Sequence, residues 1–145
     1  MFTLEMKWPQ GKPLHFFGVP ESPSPASTRV AADAVADAWR QDRADLFASG
    51  GRGLWSSLKA STKRAKRRRG HSPKVNVATR RLRNSVADKN HRDHIYRPTA
   101  GGMTIGTSTP YGAYVNARRP FLRASPDELL RYGQIYIRHI AGRGR

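Results

Sequence analysis

The sequence predicts an α+β fold: a small, mainly antiparallel sheet packed with one long N-terminal helix and a C-terminal helix, plus an extended basic loop. Three observations predict it. Apolar residues recur at helical spacing from Val30 to Phe47 and stop at Gly50-Gly51. HIYRPT and GGMTIGTS flank Ala100-Gly101 as the two arms of a hairpin would. Ser125-Pro126-Asp127-Glu128 sets a cap, a first-turn proline and a capping-box acid ahead of a second apolar run. A length of 145 residues suits one domain, 1–145.

Taken in order, residues 1–26 form an N-terminal strand and a connector. Phe2, Leu4, Met6 and Trp8 share one side of the opening by a period of two, and Pro9, Gly11 and Pro13 end it. PESPSPAS, Pro20 to Ser27, has little freedom to be helical. The core helix is expected over 27–49, capped by Ser27 or Thr28. Val30, Ala31, Ala34, Val35, Ala38, Trp39, Leu46 and Phe47 fall on its inner face, with Asp33, Asp37, Asp42, Asp45 and most arginines on the other. Residues 52–78 show no apolar period. They read as a solvated basic arm anchored by Leu54, Trp55 and Leu58.

The remainder, 79–145, holds a short helix, the hairpin and the C-terminal helix. Thr79 is a candidate cap for TRRLRNSVA, whose Leu82 and Val86 stand one turn apart. Pro110 and YGAYVN suggest a helical turn packing Tyr111, Tyr114 and Val115. The last helix presents Leu129, Leu130, Tyr132, Tyr136, Ile137 and Ile140 before fraying into GRGR.

Charge is the outlying property. Lys and Arg number 27 against 10 Asp and Glu, a formal net charge of +17. Self-repulsion of that size favours a polyanionic partner. The basicity is local, because Asp88 is the only acid between Arg52 and Arg92. The chain has no cysteine, which removes disulfides and thiolate metal sites, and it suits assembly in a reducing cytoplasm. MFTLEMKWPQ lacks the regions of a secretion signal, and no apolar run is long enough to span a membrane.

None of the catalytic patterns is present, and no cofactor is expected. His91 and His94 sit three apart, but a zinc site needs at least three converging ligands. His15, His71, His91, His94 and His139 therefore read as surface histidines. A nuclease would need paired carboxylates, or a histidine base beside Lys or Arg, and no such constellation stands out. GGMTIGTS has glycines but alternates as a strand, so it reads as a turn followed by a glycine that admits close backbone approach, not as a phosphate loop. The sharpest feature is Lys63, Arg64, Lys66, Arg67, Arg68 and Arg69. They suit DNA phosphates, an acidic protein neighbour, or plain solvation. No aromatics interleave them for base stacking.

Residues 55 to 125 carry, in order, WSSLKAST, TRRLRNSV, GTSTPYGAYVN and RRPFLRAS. The series resembles the phage virion-morphogenesis, or tail completion, family of Mu-like contractile-tailed phages. Members read W-x-x-L, a Lys/Arg-rich stretch, T-x-x-L-x-x-S, V-G-T-x-x-x-Y-A and R-P-F-L. The resemblance covers roughly the C-terminal two thirds and lies in the order and spacing of the motifs. It implies that Trp55, Leu58, Leu82, Ser85, Gly106, Tyr111, Pro120 and Phe121 form the fold or its subunit contacts. It further implies a non-enzymatic neck protein at the head–tail junction of a virion. The implied partners are further copies in a ring, hexameric by tail symmetry, and tail tube, tail terminator or connector proteins. Genomic DNA in the channel is another, and because it must slide outward any contact with it should be weak per site or restricted to holding the leading end. The chain departs from the pattern at Gly112, which separates Tyr111 from Ala113, at Arg80, where T-G-x-L has glycine, and in a short loop before RRPFL.

Overall fold

The computed structural model describes residues 2–8, 24–71 and 80–142. The elements are β1 (Phe2–Lys7), α1 (Pro25–Ala48), α2 (Ala60–Arg68), α3 (Arg81–Ala87), β2 (His94–Thr99), β3 (Gly102–Thr107), α4 (Gly112–Arg118) and α5 (Pro126–Gly142). This is the expected α+β class, with a three-stranded sheet in the order β1-β3-β2. The strand stop at Pro9, Gly11 and Pro13, His15, the connector residues 20–23, the Thr79 cap, arm residues 72–78 and the last three residues lie outside the described residues.

Antiparallel pairing of β1 with β3 follows from two close approaches. A Cβ on Gly106 would meet the carbonyl oxygen of Phe2, and one on Gly102 would meet that of Met6. One strand therefore ascends as the other descends. The glycine expected to allow close approach is Gly106, and the structure adds Gly102 at the same register. Strand β2 lies at an edge, the place a sheet tolerates Pro98.

Helix α1 begins earlier than expected. Ser24 caps it, accepting the N–H of Ser27 on its hydroxyl at 3.2 Å, and Pro25 takes the first helical position. The connector reading of Ser24–Ser27 was misled by proline, which a first turn accepts because that N–H needs no partner. The Gly50-Gly51 stop holds. Gly51 N–H bonds to Leu46 O at 2.8 Å and Gly50 N–H to Phe47 O at 3.3 Å, with Gly50 at φ +67°. Gly51 has a second task, since the Trp55 ring lies where its Cβ would be. At α5 the capping box closes reciprocally, Ser125 N–H to Glu128 Oε2 at 2.9 Å and Glu128 N–H to Ser125 Oγ at 3.2 Å.

Four expectations are corrected. Residues 60–68 are helix α2, not an extended loop, although none of its side chains is buried. Asp42 is buried on α1 beside Arg40 and Arg43, and Asp33 accepts the Tyr96 hydroxyl at 2.6 Å, so the acids are not one solvated face. Tyr111 and Tyr114 are exposed, leaving Gly112 as the buried residue of α4. Leu129 and Leu130 are exposed too, while Tyr132, Tyr136 and Ile140 are buried. The apolar residues of α5 thus divide between two faces.

Contacts gather the chain into two compact units. The first takes the described parts of Met1–Leu4, Arg40–Ile95 and Gly106–Arg123, and the second those of Glu5–Trp39, Tyr96–Ile105 and Ala124–Arg145. In the second unit Trp8 stacks on Tyr136 with ring centroids 4.6 Å apart. Trp39, Met103, Ile105, Tyr132 and Ile140 are further large buried side chains of this unit. Among the described residues no helix is long and apolar enough to cross a membrane.

Two alanine substitutions test the sheet register and the helix against each other. Gly106→Ala forces the β1 backbone away and should destabilise by about 1–3 kcal/mol. Gly133→Ala lies inside α5 with nothing within 4 Å of the new methyl. It should stabilise by about 0.5–1 kcal/mol. Denaturant melts of both variants read the two signs, and equal signs would refute the register.

Candidate functional site

The first unit brings the motifs of residues 55 to 125 together in two buried sets. In one, the backbone of Pro120–Arg123 is held by three side chains. Trp55 Nε1 donates to Pro120 O at 2.9 Å. Arg43 Nη1 donates to Phe121 O at 3.0 Å and to Arg123 O at 2.9 Å. The amide oxygen of Asn116 accepts the N–H groups of Phe121 and Leu122 at 3.0 and 3.1 Å. Phe47 packs between Trp55 and Phe121, at 5.3 and 5.8 Å centroid separations. Arg43 is 1% exposed, so its charge is stabilised by carbonyl dipoles inside the fold. Hydrogen bonds to a charged group contribute about 1.5–3 kcal/mol each.

The second set joins α3 to the end of β3. Ser85 Oγ donates to Leu82 O at 2.7 Å and accepts the Thr107 hydroxyl at 2.8 Å. Thr107 Oγ1 in turn accepts the N–H of Thr109 at 3.1 Å. All three hydroxyl residues are buried, and each of their side-chain oxygens has a hydrogen-bond partner. That is how a polar network survives in a core. Helix α3 enters through Arg80, whose φ of 65° lies in the left-handed region.

His94 and Asp93 lie beside this network. His94 Nδ1 is 2.8 Å from Ser85 O, and Arg40 Nε donates to His94 Nε2 at 3.2 Å. Those partners fix a neutral ring with its proton on Nδ1. Burial holds the His94 pKa below the usual histidine value, and the Arg40 charge adds to the effect. Asp93 takes Arg81 Nε at 2.7 Å, and that bond holds its carboxyl below the usual range. His94 is thus not the surface histidine expected from sequence, and Asp93 is buried beside it. Among the described residues no group of three or more His, Asp or Glu side chains converges as a metal site would require.

The cationic surface has its own local logic. Helix α2 has nine residues, too few to be stable alone. Lys59 caps it without a side-chain bond. Lys63 and Arg67, like Arg64 and Arg68, stand four apart as like charges, each pair costing about 0.2–0.5 kcal/mol. In its favour, Lys66, Arg67 and Arg68 sit in the last turn against the helix dipole. Gly70 at φ +69° closes the end, with His71 N–H on Lys66 O at 2.8 Å. Burial, then the guanidinium of Arg119, hold the Lys66 pKa below the lysine range. Arg119 ends α4, and its Nε is buried with no hydrogen bond among the described residues. Arg118 lies 4.6 Å over the Tyr114 ring.

Of the residues singled out by sequence, Trp55, Leu82, Ser85, Gly106 and Phe121 are buried, Leu58 is half-buried, and Pro120 contributes its carbonyl. Tyr111 stands outside this core. Lys63 and Lys66 are half-buried, whereas Arg64, Arg67, Arg68 and Arg69 are exposed. Sequence reasoning missed Arg40, Arg43, Asn116 and Arg119. Gly70 after a basic last turn was a readable helix stop, but nothing local marks a buried arginine. No family model matches the chain, and no curated protein or solved structure is significantly similar to it.

Trp55→Ala and Phe121→Ala should each cost about 3–5 kcal/mol. His71→Ala, outside these contacts, should cost less than about 0.5 kcal/mol. Thermal melts give the ranking, and a loss under about 1 kcal/mol for either aromatic would contradict the clamp.

A pH dependence follows from His94. Below about pH 6.5 the unfolded chain takes up a proton that the folded ring refuses, so stability falls as pH drops from there toward the folded pKa. Asp93 acts in a different window. Its contribution is full above about pH 3.9 and is lost only as pH falls through its depressed folded value. His94→Gln should therefore flatten the drop in Tm between pH 7 and 5. Parallel Tm profiles for variant and wild type would exclude His94 as its source.

Proposed function

We propose that the chain is a non-enzymatic structural component of a phage virion, a tail completion or neck protein that forms a ring around the DNA channel and joins tail to connector. The observation that carries the reading is the order of the four motifs, supported by how they pair. Trp55 of the first meets Pro120 of the last, and Ser85 of the second meets Thr107 of the third. Motifs distant in sequence but joined in one core behave as parts of a single fold signature. Arg80 supplies a second support. It occupies the left-handed region where the family pattern places glycine, which is the residue that conformation favours.

A second reading is a small nucleic-acid-binding protein without sequence preference. Helix α2 favours it, with its run of basic residues and no buried side chain. The readings separate in particles made without the protein. A neck role leaves filled heads beside separate or unfinished tails in electron micrographs. Normal infectious virions from a clean deletion would remove that role.

A further inference from the structure

We propose that the outward face of α5 is a two-fold contact between copies of this chain, in which two α5 helices pack antiparallel across Gly133. The inference is independent of the neck and nucleic-acid readings. A two-fold contact closes on two copies, so it is distinct from the head-to-tail contact that a ring requires.

Helix α5 is apolar on two sides. Tyr132, Tyr136 and Ile140 are buried against its own fold. On the other side Leu130, Gly133, Ile137 and Ala141 recur at spacings of three and four, with Leu129 and Gln134 beside them. Leu129 and Leu130 are 49% and 66% exposed. A second apolar face of this kind marks an interaction surface. Gly133 makes its centre a hollow, since nothing lies within 4 Å of where a Cβ would stand. A small residue at the crossing lets helix axes approach to about 8 Å.

The charges at the rim say what covers the face. Asp127 stands at the N-terminal end and Arg138 near the C-terminal end, on the same flank of the stripe. Both are exposed, and neither has an ion pair or hydrogen bond among the described residues. Arg131, between them, lies over the Tyr132 ring, 5.6 Å from its centroid. A face with an acid at one end and a base at the other is complementary to its own reversed copy. Turned end for end about a point between Gly133 and Gln134, the second helix sets its Ile137 against Leu130 and its Leu130 against Ile137. The same operation lays its Gln134 on Gly133 and brings its Arg138 within one turn of Asp127, twice over. The helix dipoles also run in opposite directions in that arrangement. A parallel pair would instead set Asp127 beside Asp127 and Arg138 beside Arg138. The net charge of +17 on each copy opposes any contact. Pairing is therefore expected once salt screens the long-range repulsion and leaves interactions at a few ångströms.

Sedimentation equilibrium of the full chain at fixed protein concentration tests the contact. The mass should stay near 16.2 kDa at about 50 mM salt and rise toward twice that by about 1 M. Leu130→Gln should weaken association by more than about tenfold without lowering Tm in dilute salt. Arg138→Asp probes the rim. It lowers the net charge, so unspecific stickiness would increase, whereas the pairing predicts association about tenfold weaker at about 0.3 M salt. Adding Asp127→Arg to that variant should restore the wild-type constant. Because the chain has no cysteine, orientation is read by mild oxidation of mixed Leu130→Cys and Ile137→Cys variants. They should cross-link to each other in preference to themselves. A monomer at about 1 M salt, or association that Leu130→Gln leaves intact, would overturn the proposal, as would stronger association of Arg138→Asp. Leu130→Cys cross-linked mainly to itself would overturn the antiparallel register. If anionic phospholipid vesicles bind the chain through Leu130 while the salt series stays monomeric, the face belongs to a membrane surface and the pairing is refuted.

Discussion

The grip on the Pro120–Arg123 backbone is the constraint on which the first unit depends. A segment with no secondary structure of its own must still satisfy its peptide groups once buried. Here an indole, a guanidinium and a carboxamide do so, from the loop after α1, from α1 itself and from α4. Because Arg43 is fully enclosed, it can neither rotate to solvent nor lose a carbonyl cheaply. Phe47 then fixes the two aromatic motifs against each other. The clamp thereby sets where α4 ends, and with it where Arg118 and Arg119 are held.

A different economy governs the second set. Ser85, Thr107 and Thr109 spend their hydroxyls on one another and on the backbone, which pins α3 to β3. His94 extends the arrangement to Arg40, so one basic and one titratable side chain share a desolvated corner. Beside this corner Asp93 holds Arg81.

Local pattern made the architecture legible. The Gly50-Gly51 stop, the Ser125-Pro126 start and the turn at Ala100-Gly101 depend on neighbours in sequence, and each stands where it was expected. The start of α1 was equally local but hidden by a proline, and Ser24-Pro25 repeats the Ser-Pro logic of α5. What the sequence concealed depends on distant partners. Arg43 and Asp42 look like solvent residues until the segments that cover them are known. Tyr111 and Tyr114 look like core because aromatics usually are. Helix α2 was obscured for another reason: its composition argues for solvation, which is correct, and solvation was taken to exclude helix, which it does not.

The divided apolar residues of α5 have a consequence for how copies of the chain behave together. Leu129, Leu130, Ile137 and Ala141 line an outward groove across the open face of Gly133. A surface of this kind is sticky, yet every copy carries a net charge of +17. In dilute buffer, long-range repulsion dominates and keeps such grooves from meeting. At about 1 M salt the repulsion reaches only ~3 Å, and the short-range attraction is left unopposed. Dispersal of the chain should therefore depend on its counterions as well as on its fold.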